Sequence, residues 1–268
     1  MSLFITSLNT GSNGNCFYIG NEEDAVLIDV GLSCKETEIR MNRLGLSMDK
    51  VKAIFITHEH SDHIRGLPVI AKKYQLPIYI THKTMLSGRL NLPVQLIQTF
   101  TSYSPARIGS LQVVAFPKKH DAAEPHSFLV QYNDISIGVF TDIGGNCDHV
   151  TRNFSTCNAV FLEANYDSEM LDKGRYPYFL KNRIRSGYGH LSNNQALELF
   201  KTHRAEKLSH LILSHLSKDN NCPNLVYQLF SECAGETQII VGSRERETAI
   251  YQIGGQTVDL RMESLYQS

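Results

Sequence analysis

Short apolar runs separated by glycine- and asparagine-rich breaks open the chain and predict strands over Leu3 to Leu8, Cys16 to Ile19 and Ala25 to Asp29. The breaks, Gly11-Ser12-Asn13-Gly14-Asn15 and Gly20-Asn21, carry the residue types that tight turns use. Ser33 followed by Glu36 is a capping-box pattern, and the helix it opens should run to about Leu44, where Gly45 ends it. A strand over 52–57 and an amphipathic helix over about 64–74 follow. Further strands are predicted near 77–81, 94–98, 111–117, 127–132 and 135–140, the last two joined by a tight Asn133-Asp134 turn. The second half is richer in helix. Helical patterns at 176–186, 192–203 and 223–233 alternate with apolar strands at 159–163, 208–213 and 237–241, and Ser192 with Gln195 forms another capping box.

Strands followed by helices occur in both halves, which predicts two sheets packed face to face with helices outside them. The expected fold is α/β, a four-layered αβ/βα sandwich forming a single domain over residues 1–268. An open doubly wound sheet is the competing architecture, disfavoured by the hairpins and by the lack of GxGxxG after the first strand. An apolar content of 42% suffices for a sizeable core. With 26 Lys and Arg against 27 Asp and Glu, the surface is not basic as a whole, so any nucleic-acid binding must be local. Six cysteines without CxxC spacing and the absence of a secretory pattern read as reduced thiols in the cytoplasm, and no run is long enough for a membrane span.

Strand 52–57 delivers Thr57-His58-Glu59-His60-Ser61-Asp62-His63. Three imidazoles and a carboxylate in one strand-to-helix loop suit a borderline-soft divalent cation, and side chains leaving a loop in different directions can serve two neighbouring ions. His58, His60, Asp62 and His63 are therefore candidate metal ligands. A lone histidine usually sits in solvent, but HxHxDH at a strand end is a far more demanding pattern. Ser61 reads as a small spacer.

This loop resembles the signature of the metallo-β-lactamase-fold hydrolases. Ser7-Leu8 with Gly11-Ser12-Asn13-Gly14-Asn15-Cys16, Leu162-Glu163-Ala164-Asn165 and Gly189-His190-Leu191-Ser192-Asn193 resemble, more narrowly, the YycJ/WalJ-like group of bacterial exonucleases. The resemblance spans nearly the whole chain and implies metals at one edge of the β-sandwich. It implies three further ligands where strands give way to loops: His120, Asp142 and His215. By the same resemblance His58, His60 and His120 hold one metal, Asp62, His63 and His215 the other, and Asp142 bridges. His126 and His210 are nearby competitors, and His190 competes with His215 for the last position. The implied cofactors are two divalent cations per chain. Zinc is the default of the donor set, manganese the family's choice for activity, and iron is also accommodated.

Two such ions about 3.5–4 Å apart hold a bridging hydroxide as nucleophile, so no Ser-His-Asp arrangement is needed and Asp62 counts as catalytic. His190, just before the helix that Ser192 caps, can protonate a leaving oxygen. Glu163 can orient it or support a metal-bound histidine, and the two resemble the acid and histidine pair of RNase Z. Asp29, at a strand end, reads equally as a partner for a metal-bound histidine or as a turn residue.

Substrate choice lies outside the ligands. Lys173, Arg175, Lys181, Arg183 and Arg185 lie among Tyr176, Tyr178, Phe179 and Tyr188, a mixture that can contact phosphates and stack on bases. The spacing of two at Lys181, Arg183 and Arg185 forms no single helical stripe, and a solvated helix face is the plain alternative. Ser12, Asn13, Asn15 and Asn193 offer polar groups to phosphate oxygens. These features point to nucleic acid, and the resemblance implies a 5′-to-3′ exonuclease on double-stranded DNA with a role in DNA repair. A small-molecule hydrolase acting on a thioester, lactone or cyclic phosphodiester is the rival reading, which a narrow pocket would favour. A metal-binding regulatory module without turnover is the third, and loss of a ligand would favour it.

Overall fold

The computed structural model describes residues 2–254. The expected domain of 1–268 therefore includes residue 1 and residues 255–268, which lie outside the described residues. In chain order the strands are β1 (Leu3–Asn9), β2 (Cys16–Gly20), β3 (Ala25–Ile28), β4 (Val51–Phe55), β5 (Ile78–Tyr79), β6 (Ile97–Gln98), β7 (Ala106–Ile108), β8 (Leu111–Pro117), β9 (His126–Tyr132), β10 (Ile135–Phe140), β11 (Ala159–Glu163), β12 (His210–Ser214), β13 (Gln238–Val241) and β14 (Tyr251–Ile253). Among the described residues they form two seven-stranded sheets, ordered β14-β1-β2-β3-β4-β5-β6 and β13-β12-β11-β10-β9-β8-β7.

Alternation along the strands builds the layers. Val26, Ile28, Ala53 and Phe55 of the first sheet meet Phe128, Val130, Val139 and Phe161 of the second in a core between the sheets. Residues one step out of phase, such as Leu27 and Ile54, face α1 (Cys34–Arg43) and α3 (Leu67–Tyr74), with the short α2 (Ser61–Ile64) just before α3. On the far side, Val160, Leu162, Leu211 and Leu213 face α5 (Asp148–Phe154), α8 (Asn193–His203) and α9 (Pro223–Ser231). The remaining helices are α4 (His82–Ser87), α6 (Ser168–Lys173) and α7 (Tyr178–Arg185). Two mixed sheets flanked by helices are the expected four layers.

The helix expected over 64–74 starts earlier, at Ser61, and is broken before Leu67. Gly66 sits at the break because a Cβ there would lie 1.9 Å from the Leu32 carbonyl oxygen. The strand expected at 94–98 is a 3-10 turn over Val94–Leu96 followed by the two residues of β6.

Topology explains why ligands distant in sequence meet. β10, β11, β12 and β13 are parallel, with Phe140 opposite Leu162 and Leu162 opposite Leu213. β3 and β4 are parallel too, with Ile28 opposite Phe55. Parallel strands need crossover connections that return the chain to the same end, so their C-terminal loops collect along one edge.

Candidate metal centre

The histidine loop is fixed from below by Asp29. Its Oδ1 and Oδ2 accept from the Thr57 backbone N–H and hydroxyl, each at 2.8 Å, and its Oδ2 lies 2.7 Å from His63 Nδ1. Asp29 and His63 are both fully buried. Asp29 thus directs His63 Nε2 into the centre, the arrangement by which a carboxylate orients a metal-binding imidazole. From the other side the Asn15 amide Nδ2 lies 3.0 Å from His63 Nε2 and 3.2 Å from Asp62 Oδ2. The loops approach closely here: a Cβ on Gly31 would lie 1.6 Å from the Asp62 carbonyl oxygen.

His58, His60 and His120 form one cluster. His60 Nδ1 is 3.1 Å from His58 Nε2 and 3.3 Å from His120 Nε2, while His120 Nδ1 meets the Gly189 carbonyl at 3.0 Å. Asp62, His63 and His215 form a second, with Asp62 Oδ2 3.5 Å from the Nε2 of each histidine. Asp142 lies between the two. Its Oδ2 is 3.1 Å from His63 Nε2, and its Oδ1 is 3.5 Å from His215 Nδ1 and 3.8 Å from His120 Nε2. Beyond its contact with His63, the buried Asp142 Oδ2 has no hydrogen-bond donor, and a cation would satisfy it. The imidazole and carboxylate donors, clustered in this way, fit divalent cations.

Two of the competing histidines lie outside the ligand groups, and the third belongs to one of its own. His126 is held 2.9 Å from the Ser102 hydroxyl and packs on Phe100, and His210 begins β12, at the far end of the strand from His215. His190 groups with Asp142, Glu163 and His215 but not with Asp62 and His63. Its Nδ1 lies 2.7 Å from Glu163 Oε1, which also lies 3.1 Å from His215 Nδ1. Glu163 Oε2 accepts from the backbone N–H groups of Ile143 at 2.7 Å and Leu191 at 3.1 Å. Burial alone would raise this carboxyl, but His190 and the hydrogen bonds from His190 and His215 hold it at about 2.

The two clusters differ in charge. Burial opposes the protonation of His63 and His215, yet Asp142, Asp29 and Asp62 hold His63 well above the usual histidine range. Asp142, with hydrogen bonds to Asp62 and Glu163, pushes His215 up to about 10. Burial dominates at the other cluster: with the help of the His63 and Lys118 charges it holds His58 well below the usual range, and with Lys118 it holds His120 at about 4. The shifts run in opposite directions: they favour the neutral imidazole at His58 and His120 and the protonated one at His63 and His215, where a cation would have to displace a proton. Protons therefore compete below those pKa values, and affinity at Asp62, His63 and His215 rises with pH by about tenfold per unit for each proton released. Calorimetric titration of stripped protein between about pH 6 and 8 is expected to show two steps, of which the one at Asp62, His63 and His215 strengthens more steeply with pH and releases more protons. Equal pH dependence of both steps would remove the distinction.

Further residues support the centre from behind. Lys118 is buried, and its Nζ donates to the Thr141 carbonyl at 2.6 Å; burial pushes its amine down while Asp142, Asp29 and Glu163 oppose that shift. Asn165 donates to the His215 carbonyl at 2.8 Å. Asp29, Asp142 and His215 have φ of 59°, 54° and 57°, a left-handed conformation that costs a non-glycine residue about 1–3 kcal/mol and concentrates at functional sites.

Above the centre opens a mouth of about 180 Å³ whose lining includes Ser12, Asp121, Tyr176, Arg183, His190 and Ser217. Of the residues expected to touch substrate, Ser12 and Arg183 stand here. Arg183 is held by Asp121 at 2.5 Å, whereas Lys181 and Arg185 turn to Asp172, through its carbonyl at 2.7 Å and its carboxylate at 2.6 Å. Asn13 donates to the Arg244 carbonyl at 2.7 Å. Asn15 and Asn193 are buried, and the Asn193 amide is paired with that of Asn221 at 3.0 and 2.8 Å, so neither side chain faces the mouth from solvent.

A β-sandwich carrying histidine and carboxylate clusters at one edge is suited to holding divalent cations. Residues 9–137 match the metallo-beta-lactamase superfamily. The chain is 37% identical over 247 residues to exodeoxyribonuclease YycJ of Bacillus anthracis, covering 90% of this chain and 93% of that one. It is 31% identical over 242 residues to exodeoxyribonuclease WalJ of Streptococcus pneumoniae, covering 88% and 89%. The chain belongs to the metallo-β-lactamase superfamily and, within it, to the family of these YycJ and WalJ proteins. Among solved structures, the metallo-beta-lactamase fold protein YhfI of Bacillus subtilis matches with a TM-score of 0.71 at 13% identity, covering 94% of this chain and 99% of that one. The short form of human tRNase Z matches with a TM-score of 0.62 at 19% identity, covering 92% and 99%. At such identities these likenesses are of fold alone. Among the described residues no helix is long and apolar enough to cross a membrane.

Proposed function

We propose that this chain is a metal-dependent exodeoxyribonuclease that shortens double-stranded DNA from the 5′ end. The observation that carries the reading is the His190–Glu163 pair, 2.7 Å apart, set over the two ligand clusters and beside Arg183 at the mouth. His58, His60 and His120 would hold one divalent cation, and Asp62, His63 and His215 the other, with Asp142 shared. Zinc or manganese, with iron as a third candidate, supplies Lewis acidity and a lowered water pKa there.

The chain's own residues do the rest. Arg183 and Tyr176 grip the strand at the mouth. His190, held at Nδ1 by Glu163, presents Nε2 to the leaving 3′ oxygen and donates its proton. The buried Glu163, fixed by two backbone N–H groups, sets the ring's orientation. Asp29 and Asn15 hold His63 and Asp62 in place. The 5′-to-3′ polarity and the preference for duplex DNA follow the family resemblance; the names of the YycJ and WalJ relatives support DNA as the substrate.

A second reading, hydrolysis of a small thioester, lactone or cyclic phosphodiester, is favoured by the small mouth of about 180 Å³. End-labelled duplex DNA separates the two. Metal-stripped protein resupplied with manganese or zinc is expected to shorten the duplex progressively from its 5′ end. Two bound metals per chain with no shortening would favour the small-molecule hydrolase.

A further inference from the structure

The connection between β13 and β14, residues 242–250, crosses from one sheet to the other beside the metal centre. Its backbone is tied down along its length. Gly242 N donates to Leu213 O at 2.8 Å, Ser243 O accepts from Thr10 N at 3.1 Å, and Glu245 O accepts from the buried Arg40 at 3.0 Å. Between this connection and the segment after His215 lies a cavity of about 600 Å³. It shares Leu216 and Ser217 with the mouth of the metal centre, so the two spaces meet at the loop that carries His215.

The cavity has a charge pattern unlike that of α7. There Arg183 and Arg185 are matched by aspartates, and Lys173 before the helix is matched by Glu169. Lys218, Arg244 and Arg246 line the cavity, and none has an ion pair among the described residues. Arg244 Nη1 is buried and has no hydrogen-bond partner at all. Of the acidic residues in the wall, Glu247 lies 3.7 Å from Arg43, with its Oε2 buried and without a hydrogen bond, and Glu245 is exposed, so two carboxylates stand beside the three cations. A guanidinium N–H removed from water without an acceptor is penalised, and the planar guanidinium fork suits the oxygens of a phosphate. The mouth, at about 180 Å³, is smaller than the roughly 300–1,000 Å³ of small-molecule sites, whereas the neighbouring cavity falls within that range.

We propose that this cavity is a nucleotide subsite in which Arg244, with Lys218 and Arg246, binds the phosphate of a nucleotide adjoining the one that reacts at the metal centre. The assignment of the occupant to the DNA strand rests on the nuclease reading above. Occupancy by a nucleotide phosphate does not need the metals, which makes the two separable.

The test uses the full chain, stripped of metal and kept in chelator, titrated calorimetrically with thymidine 5′-monophosphate, inorganic phosphate and thymidine. Thymidine monophosphate is expected to bind, with inorganic phosphate weaker and thymidine silent. Arg244→Gln is expected to weaken thymidine monophosphate by at least about tenfold, with Arg244→Lys between the two, as loss of a charge-assisted pair implies. Lys218→Glu with Arg246→Glu, both exposed, is expected to do the same, and it covers the case in which Arg244→Gln does not fold. In the metal-loaded enzyme Arg244→Gln is expected to raise KM for DNA with kcat little changed. Unaltered binding of thymidine monophosphate in these variants, or thymidine binding as tightly as its phosphate, would overturn the subsite. Inorganic phosphate binding as tightly as the nucleotide would make it a free-phosphate site and overturn it equally. Metal-independent nucleotide binding lost in the variants, together with absent DNA cleavage, would keep the subsite and sink the nuclease reading.

Discussion

Asp62→Ala is expected to remove one cation and the activity together. Asp62 is the one carboxylate of the cluster it forms with His63 and His215, and its Oδ2 lies 3.5 Å from the Nε2 of each. Burial alone would raise its carboxyl, but the His63 charge and the hydrogen bonds from His215 and His63 hold it below the usual carboxylate range, so it is ionised when a cation arrives. Without it, two histidines that already hold protons have lost a carboxylate that offsets them, and a second cation would find no compensating charge except Asp142. A metal supplies several kcal/mol of transition-state stabilisation, so the rate is expected to fall by about 10³-fold or more. Stability reports the same loss without reference to turnover. Free metal at a hundredfold excess over Kd stabilises the fold by about 2.7 kcal/mol, and for a chain of this size that is about 5–10 °C in Tm. A chelator should therefore lower the Tm of the natural protein by more than it lowers that of Asp62→Ala. Metal analysis showing two ions per chain in the variant, with full activity, would remove Asp62 from the site.

How much of this could be read from the chain depends on how local each cause is. His58, His60, Asp62 and His63 are legible because one loop after β4 carries them all. His120, Asp142 and His215 each look like an ordinary strand-end polar residue, and only the resemblance picked them out; parallel pairing of β10, β11 and β12 is what brings two of them to one edge. Asp29 was open between two roles until its 2.7 Å contact with His63 was seen. Asn15 offered an exposed amide in sequence, but folding buries it against Asp62, 47 positions away. Lys118 precedes a second lysine, and nothing in that run marks its amine as the one that points inward to Thr141. The same division holds for the fold. Long alternating strands such as β8 and β10 have the predicted bounds, because periodicity is a local signal. α4, α5, α6, β7 and β14 are too short to show a period, and the break at Gly66 is imposed by the Leu32 carbonyl from another loop. The basic character of α7 is plain in sequence, whereas the pairing of Arg183 with Asp121 and of Arg185 with Asp172 is not.

His190→Ala is expected to leave both cations in place and slow turnover by about 10²–10⁴-fold, the usual contribution of a positioned general acid. Metal content is the first readout, because it decides between the two roles His190 could hold. His215 belongs to the cluster with Asp62 and His63, whereas His190 groups with Asp142, Glu163 and His215; if His190 is the general acid, removing it should cost no metal, while His215→Ala should cost one ion. The second readout is the leaving group. A DNA 3′ oxygen needs a proton as it departs, whereas a nitrophenolate does not, so a nitrophenyl phosphodiester should be cleaved almost as fast by His190→Ala as by the natural enzyme. Glu163→Gln tests the pair from its other end. The amide keeps an oxygen for the N–H groups of Ile143 and Leu191 but replaces the carboxylate that meets His190 Nδ1. Its defect on DNA should be large alone and add little to that of His190→Ala, since groups that act as a unit are not additive. Equal slowing on both leaving groups would reassign His190 to holding the substrate phosphate. Loss of an ion in His190→Ala, with both retained in His215→Ala, would make His190 the ligand and leave the leaving oxygen to find its proton elsewhere.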